Sequence, residues 1–98
     1  MLTLPIKKKW FDLIENGKKQ EEYRDYDNYY KQRLLKHVGR GPFDILLRNG
    51  YASDSPTLRC KVSVSIGTGK KEWGAEEGKY YFVLNILDVI RLDTQFNN

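Results

Sequence analysis

The stretch TLRCKVSVSI, residues Thr57 to Ile66, constrains the fold more than any other part of the chain. Leu58, Cys60, Val62, Val64 and Ile66 alternate with Arg59, Lys61, Ser63 and Ser65. Successive side chains of a strand point to opposite faces, so this spacing puts the apolar set on one face and the polar set on the other. It predicts a strand with one face on a core and one in water. Near the C-terminus, KYYFVLNILDVI is apolar almost throughout. That predicts a long strand buried on both faces or bending across a closed sheet, with Asn85 as the bend. A third strand is predicted over Phe43 to Arg48, where Phe43, Ile45 and Leu47 alternate with Asp44, Leu46 and Arg48 before the turn dipeptide Asn49-Gly50.

The first half of the chain changes period. In KKKWFDLIENG, Trp10, Leu13 and Ile14 share an i, i+3, i+4 face, and Gly17 stands where a left-handed cap is expected. The spacing predicts a buried helical stripe of about three turns. A second helix is predicted over DNYYKQRLLKHVG, with Asp27 or Asn28 as cap, Tyr30, Leu34 and Val38 on one face, and Lys36 and His37 suited to the C-terminal dipole. LTLPI before the first helix reads as a short strand that Pro5 confines to an edge or a strand end. Between the helices, Gln20 to Arg24 are too few and too weakly periodic for a helix and read as a strand. The chain is thus expected to be α+β: a small β-barrel of five to six mostly antiparallel strands with two short helices near the N-terminus.

At 98 residues the chain is long enough for one core and too short for two, so residues 1–98 are read as a single domain. The single Cys60 cannot form an intramolecular disulfide. Neither a signal peptide nor an apolar run of about 18 residues is present, which sets a cytoplasmic location as the expectation, without a membrane. A net charge of +4 fits an anionic partner such as nucleic acid. Lys7 to Lys9, Lys18 with Lys19, and Lys70 with Lys71 form three basic clusters, whereas Glu21, Glu22, Asp25 and Asp27 gather just after the second.

That mixed segment, GKKQEEYRD, is where the sequence departs from ordinary fold logic. On a strand Glu22 and Arg24 share one face, and neither face is apolar. A charge removed from water costs several kcal/mol unless it is paired, so either these side chains stay on the surface as an ion pair or they compensate one another in a groove.

Gly17, Lys19, Glu22 and Arg24 fit the spacing G-x-K-x-x-E-x-R, which resembles the signature of the ASCH domain family, one of the PUA-like barrels. The preceding WFDLIENG and the later NGY and WGAEEGKYYFV extend the likeness over nearly the whole chain. The resemblance implies a PUA-like barrel with a cleft beside the first helix, lined by the motif, and an RNA segment, nucleoside or nucleotide as ligand. It implies no cofactor and no metal. Lys19, Glu22, Arg24, Tyr51 and Trp73 are the expected ligand-binding residues, the two aromatics either stacking a base or closing the barrel.

Some small bacterial members of the family, which resemble this chain, hydrolyse the acetyl group from N4-acetylcytidine with the motif lysine, a threonine in the slot of Glu22, and a later glutamate. The alternative implied here is therefore a small hydrolase in which Lys19 and Glu22 are catalytic, joined by Glu72, Glu76 or Glu77. A carboxylate does not replace a hydroxyl nucleophile, so the missing threonine favours binding over deacetylation.

Other constellations fail. GTGKK lacks the spacing of a phosphate loop. Cys60 lies on the core face and the lone His37 ends a helix, which leaves neither a Cys-His nucleophile nor a metal cluster. Lys7 to Lys9 precede a helix, where they either hold an anion or remain solvated.

Overall fold

A computed structural model describes residues 1–92. Along the chain run β1 (Leu2–Pro5), α1 (Lys8–Glu15), β2 (Glu21–Asp25), α2 (Asn28–Leu34), β3 (Phe43–Arg48), β4 (Thr57–Thr68) and β5 (Tyr80–Arg91). Short 3-10 turns lie at Leu35–His37 and Lys71–Trp73. The strands form one mixed sheet in the order β1-β3-β4-β5-β2. Only β1 with β3 is parallel; the other three pairings are antiparallel. The protein is α+β, and its five strands curl into a half-barrel that shares one core with residues of α1 and α2. β1 and β2 are the two edges, and Pro5 sits on an edge strand, where a missing N–H interrupts no interior ladder.

Period-two burial runs along β4 as its sequence predicts. Leu58, Cys60, Val62 and Val64 are buried, while Arg59 and Lys61 are exposed. From β3, Ile45 and Leu47 join them, and Phe11 and Ile14 of α1 and Leu34 of α2 close the core from the other side. Ile66 departs from the pattern and is exposed. The segment after α2 reaches β4 through the bridge between Val38 and Val64, and Ile66 lies beyond that cover.

β5 is buried on both faces only from Tyr81 to Leu84. Phe82 and Leu84 belong to the core, whereas Tyr81 points the other way and lies under the β4–β5 connection, its hydroxyl accepting from the Glu76 amide at 2.9 Å. The expected bend at Asn85 is displaced to Leu87. There Lys61 faces Asp88 and its neighbour Val62 faces Ile86, which leaves Leu87 as the extra residue of a bulge. Asn85 instead ties β5 to β4, donating to Ser63 O and Ser65 Oγ at 3.2 Å each.

The helices are shorter than their patterns suggest. α1 has eight residues, about two turns. α2 has seven, starting from the Asp27 side chain, which accepts from Tyr30 N at 2.9 Å. Asn49-Gly50 is not a two-residue hairpin: it opens the connection from β3 to β4, anchored by Asn49 Nδ2 on Ile6 O at 2.9 Å.

Candidate functional site

The site begins where α1 stops. Gly17 adopts φ +83°, a left-handed conformation that a side chain would strain. The chain turns back so that Gly17 N reaches Ile14 O at 3.1 Å and Lys19 N reaches Leu13 O at 2.9 Å. This turn sends the Lys19 side chain inward as β2 begins. Alternation along β2 then buries Glu22 and Arg24 and leaves Asp25 exposed.

Lys19, Glu22 and Arg24 come together as a buried triad, 1%, 6% and 8% exposed. Glu22 is its centre. Oε1 meets Lys19 Nζ at 3.0 Å, and Oε2 accepts from Arg24 Nη2 at 2.8 Å and from Nε at 3.2 Å. Lys19 Nζ also donates to Glu21 O and lies over the rings of Trp10 and Tyr23, 5.1 and 4.9 Å from their centroids. Arg24 completes its fork on Pro5 O at 2.7 Å and Tyr30 Oη at 3.1 Å.

Two cations share one carboxylate, so the triad carries an excess positive charge away from water. Burial lowers the Lys19 pKa; the carboxylate of Glu22 pulls it back up, and Arg24 adds a smaller downward push.

Beside the triad opens a cleft of about 310 Å³, lined by Trp10 from α1, Glu22, Tyr23 and Asp25 from β2, Trp73, Gly74 and Glu76 from the β4–β5 connection, and Lys79 and Tyr81 around the start of β5. Glu22 is the one triad member on its wall. Lys19 does not line the cleft and borders a separate hollow with Ile14, Gly17 and Gln20, and Arg24 points toward β1 and α2.

The wall from the β4–β5 connection is held by two tyrosines. Tyr23 Oη accepts from Lys70 N and donates to Glu21 Oε1, both at 2.8 Å, and Tyr81 Oη holds Glu76 N. Burial pushes the Tyr23 hydroxyl up to about 12. At the cleft's end Lys79 Nζ bridges Asp25 at 3.1 Å and Glu76 at 3.5 Å.

Comparison with known protein families, curated proteins and solved structures finds no match.

What the site can do is set by its own side chains. Indole and phenol rings offer stacking faces, Glu22, Asp25 and Glu76 offer acceptors, and Lys9 and Lys70 bring ammonium groups over Trp10 and Trp73 at 4.7 and 4.6 Å. Among the described residues no three His, Cys, Asp or Glu side chains gather as metal ligands, and no helix is long and apolar enough to cross a membrane. The Cys60 thiol is pushed up to about 12 by burial.

Of the residues singled out from sequence, Glu22 and Trp73 reach the cleft wall, and Lys19 and Arg24 do not. Tyr51 does not join them. It is 97% exposed and borders a separate hollow with Pro5, Ile6, Lys7, Asn49 and Gly50. Among the three glutamates left open, Glu76 lines the cleft. Sequence reasoning missed Tyr23, Asp25, Lys79 and Tyr81, and it gave Trp10 only to the buried stripe of the first helix. The first two lie on the β2 face opposite the triad and reach the cleft because the β4–β5 connection folds back over them, a contact far apart in sequence. A signal existed in the aromatic density of KYYFV, which exceeds what one core face needs.

Proposed function

We propose that this chain is a nucleotide- or RNA-binding domain of the ASCH, PUA-like type, and that its cleft takes one nucleobase with its sugar. One observation carries the reading: a carboxylate held rigidly by two buried cations faces a cleft flanked by two indoles. Glu22 is fixed in position by Lys19 and Arg24, so its carboxylate oxygens are ready acceptors for a base amino group. Trp10 and Trp73 supply stacking faces, and a volume of about 310 Å³ lies within the usual range of small-ligand sites. Lys9 and Lys70, whose ammonium groups lie over the two indoles, supply positive charge for a phosphate at the rim.

The test is titration of the protein with the monophosphates of cytidine, adenosine, guanosine and uridine, followed by tryptophan fluorescence and calorimetry. The three bases with an exocyclic amino group are expected to bind, and uridine monophosphate more weakly by about tenfold, the equivalent of about 1.4 kcal/mol. Absence of binding by all four overturns the reading.

The lowered pKa of Lys19 supports a second reading, an amidohydrolase acting on N4-acetylcytidine, since a neutral amine is a base or nucleophile. The burial of Lys19 away from the cleft wall weighs against this. Cytidine release from N4-acetylcytidine is expected to be negligible in the wild type, and Glu22→Thr is the single change expected to raise it. Brisk wild-type turnover lost in Lys19→Ala makes the protein an enzyme.

A further inference from the structure

The excess positive charge of the chain is concentrated beside the cleft and not in it. From Tyr26 to Arg40 the sequence holds Lys31, Arg33, Lys36 and Arg40 against one carboxylate, Asp27. Asp27 is engaged as the cap of α2. Three exposed cations elsewhere have carboxylate partners, Lys8 with Asp12, Arg59 with Asp44 and Lys79 with Asp25, while others such as Lys18 and Lys61 have none among the described residues but sit over no exposed aromatic ring. Among the described residues, none of the four cations after Tyr26 has one within 4 Å. A helix face meant only for water would be expected to offset such charges with acids three or four positions away, and for α2 the one acid so placed, Asp27 four before Lys31, is taken up as the cap.

Two of these cations lie over exposed tyrosine rings. Lys31 Nζ is 4.5 Å from the centroid of Tyr26, and Arg33 Cζ is 3.5 Å from that of Tyr29, with Nη1 donating to Tyr29 O at 2.8 Å. Tyr26 and Tyr29 as residues are 42% and 51% exposed, yet each ring has an anchor. Tyr26 packs on Phe82 at 4.9 Å. Tyr29 meets Tyr30 edge-on at 4.9 Å, and Tyr30 is hydrogen-bonded to Arg24 of the triad. Asp25, the residue before Tyr26, lines the cleft. Anchored aromatic faces interleaved with unpaired cations match the repeat of base and phosphate in a single strand.

We infer that the surface of α2 is a track for single-stranded RNA, on which the strand leaving the cleft stacks bases on Tyr26 and Tyr29 and sets phosphates against Lys31 and Arg33. The inference rests on the nucleotide reading of the cleft and deepens it: the ligand is one nucleotide within a strand.

The experiment compares the full chain with Tyr29→Ala, Arg33→Ala and the cleft variant Trp73→Ala. Each is titrated with a cytidine or adenosine monophosphate and with a fluorescent single-stranded RNA of about 12 nucleotides and mixed sequence. Tyr29→Ala and Arg33→Ala are expected to weaken the RNA about tenfold and to leave the mononucleotide unchanged, and Arg33→Ala to reduce the log-log salt slope by about 0.7. Trp73→Ala is expected to weaken both ligands. RNA binding by Tyr29→Ala and Arg33→Ala equal to the wild type overturns the track while leaving the cleft intact. RNA bound through Tyr29 and Arg33 by a wild type that ignores mononucleotides overturns the cleft and keeps the track. Equal affinity for DNA of the same sequence overturns the assignment to RNA.

Discussion

At the scale of single residues, Glu22 decides the electrostatics of the site. It is the one carboxylate between Lys19 and Arg24, so its loss leaves two cations facing each other away from water, whereas loss of Lys19 leaves a neutral pair. Glu22→Gln is expected to destabilise the fold by about 3–5 kcal/mol in urea denaturation, and Lys19→Met by about 1 kcal/mol or less. Equal losses would show that the triad is not coupled as its geometry implies. Lys19 also predicts a pH response. Its folded-state pKa lies below 10.5, so between that pKa and 10.5 the unfolded chain holds a proton that the folded one has released. Its contribution to stability therefore rises with pH through that window. The difference between wild type and Lys19→Met, measured across the same window, should grow in favour of the wild type.

At the scale of elements, the β4–β5 connection is latched to the sheet by hydroxyls. Tyr23→Phe removes the acceptor for the Lys70 amide and is expected to speed its hydrogen exchange, while the Glu76 amide, held by Tyr81, stays protected. Unchanged exchange at Lys70 would deny the latch. The same hydroxyl works against the fold in alkali. Its pKa rises from 10.0 unfolded to about 12 folded, so the stability it contributes is present below pH 10 and lost as pH climbs toward 12, a loss that Tyr23→Phe should abolish. Gly69 explains why the connection lies so close: a Cβ there would stand 2.6 Å from the Tyr23 ring and 2.7 Å from Ala75 Cβ. Gly69→Ala is expected to cost about 1–3 kcal/mol in thermal unfolding and to release Lys70 as Tyr23→Phe does.

At the scale of the whole molecule, Arg24 joins parts that no strand ladder joins. β1 and β2 are opposite edges of the sheet, and the guanidinium on β2 reaches Pro5 O on β1 and Tyr30 Oη on α2 while holding Glu22. This is a fork's geometry, which an ammonium cannot reproduce. Arg24→Lys keeps the charge yet is expected to cost about 3 kcal/mol, lowering the melting temperature of a domain this size by about 10 °C or more. A melting temperature within a few degrees of wild type would show that the edges hold together without it. Arg24 is then a strut of the half-barrel, and the motif that suggests a ligand site is in part a device for closing the fold around one.

Much of this was legible in the sequence because it depends on local period. Alternation fixed β3 and β4 to their faces, Asp27 marked the start of α2, and Gly17 marked the end of α1, since capping and pleat are satisfied within a few residues. Charge on β2 pointed to mutual compensation because desolvation leaves buried charges few other options. Only the tertiary structure decided which charges meet the cleft. Whether Lys19 faces a ligand or is buried away from the cleft wall depends on where Trp10 and Tyr23 pack, and Tyr51 was drawn away by a connection whose path no local pattern sets. The bulge at Leu87, the exposure of Ile66 and the cleft wall from Trp73 to Glu76 arise from how distant segments cover one another. A residue's period tells which way it points, and packing alone tells what it meets there.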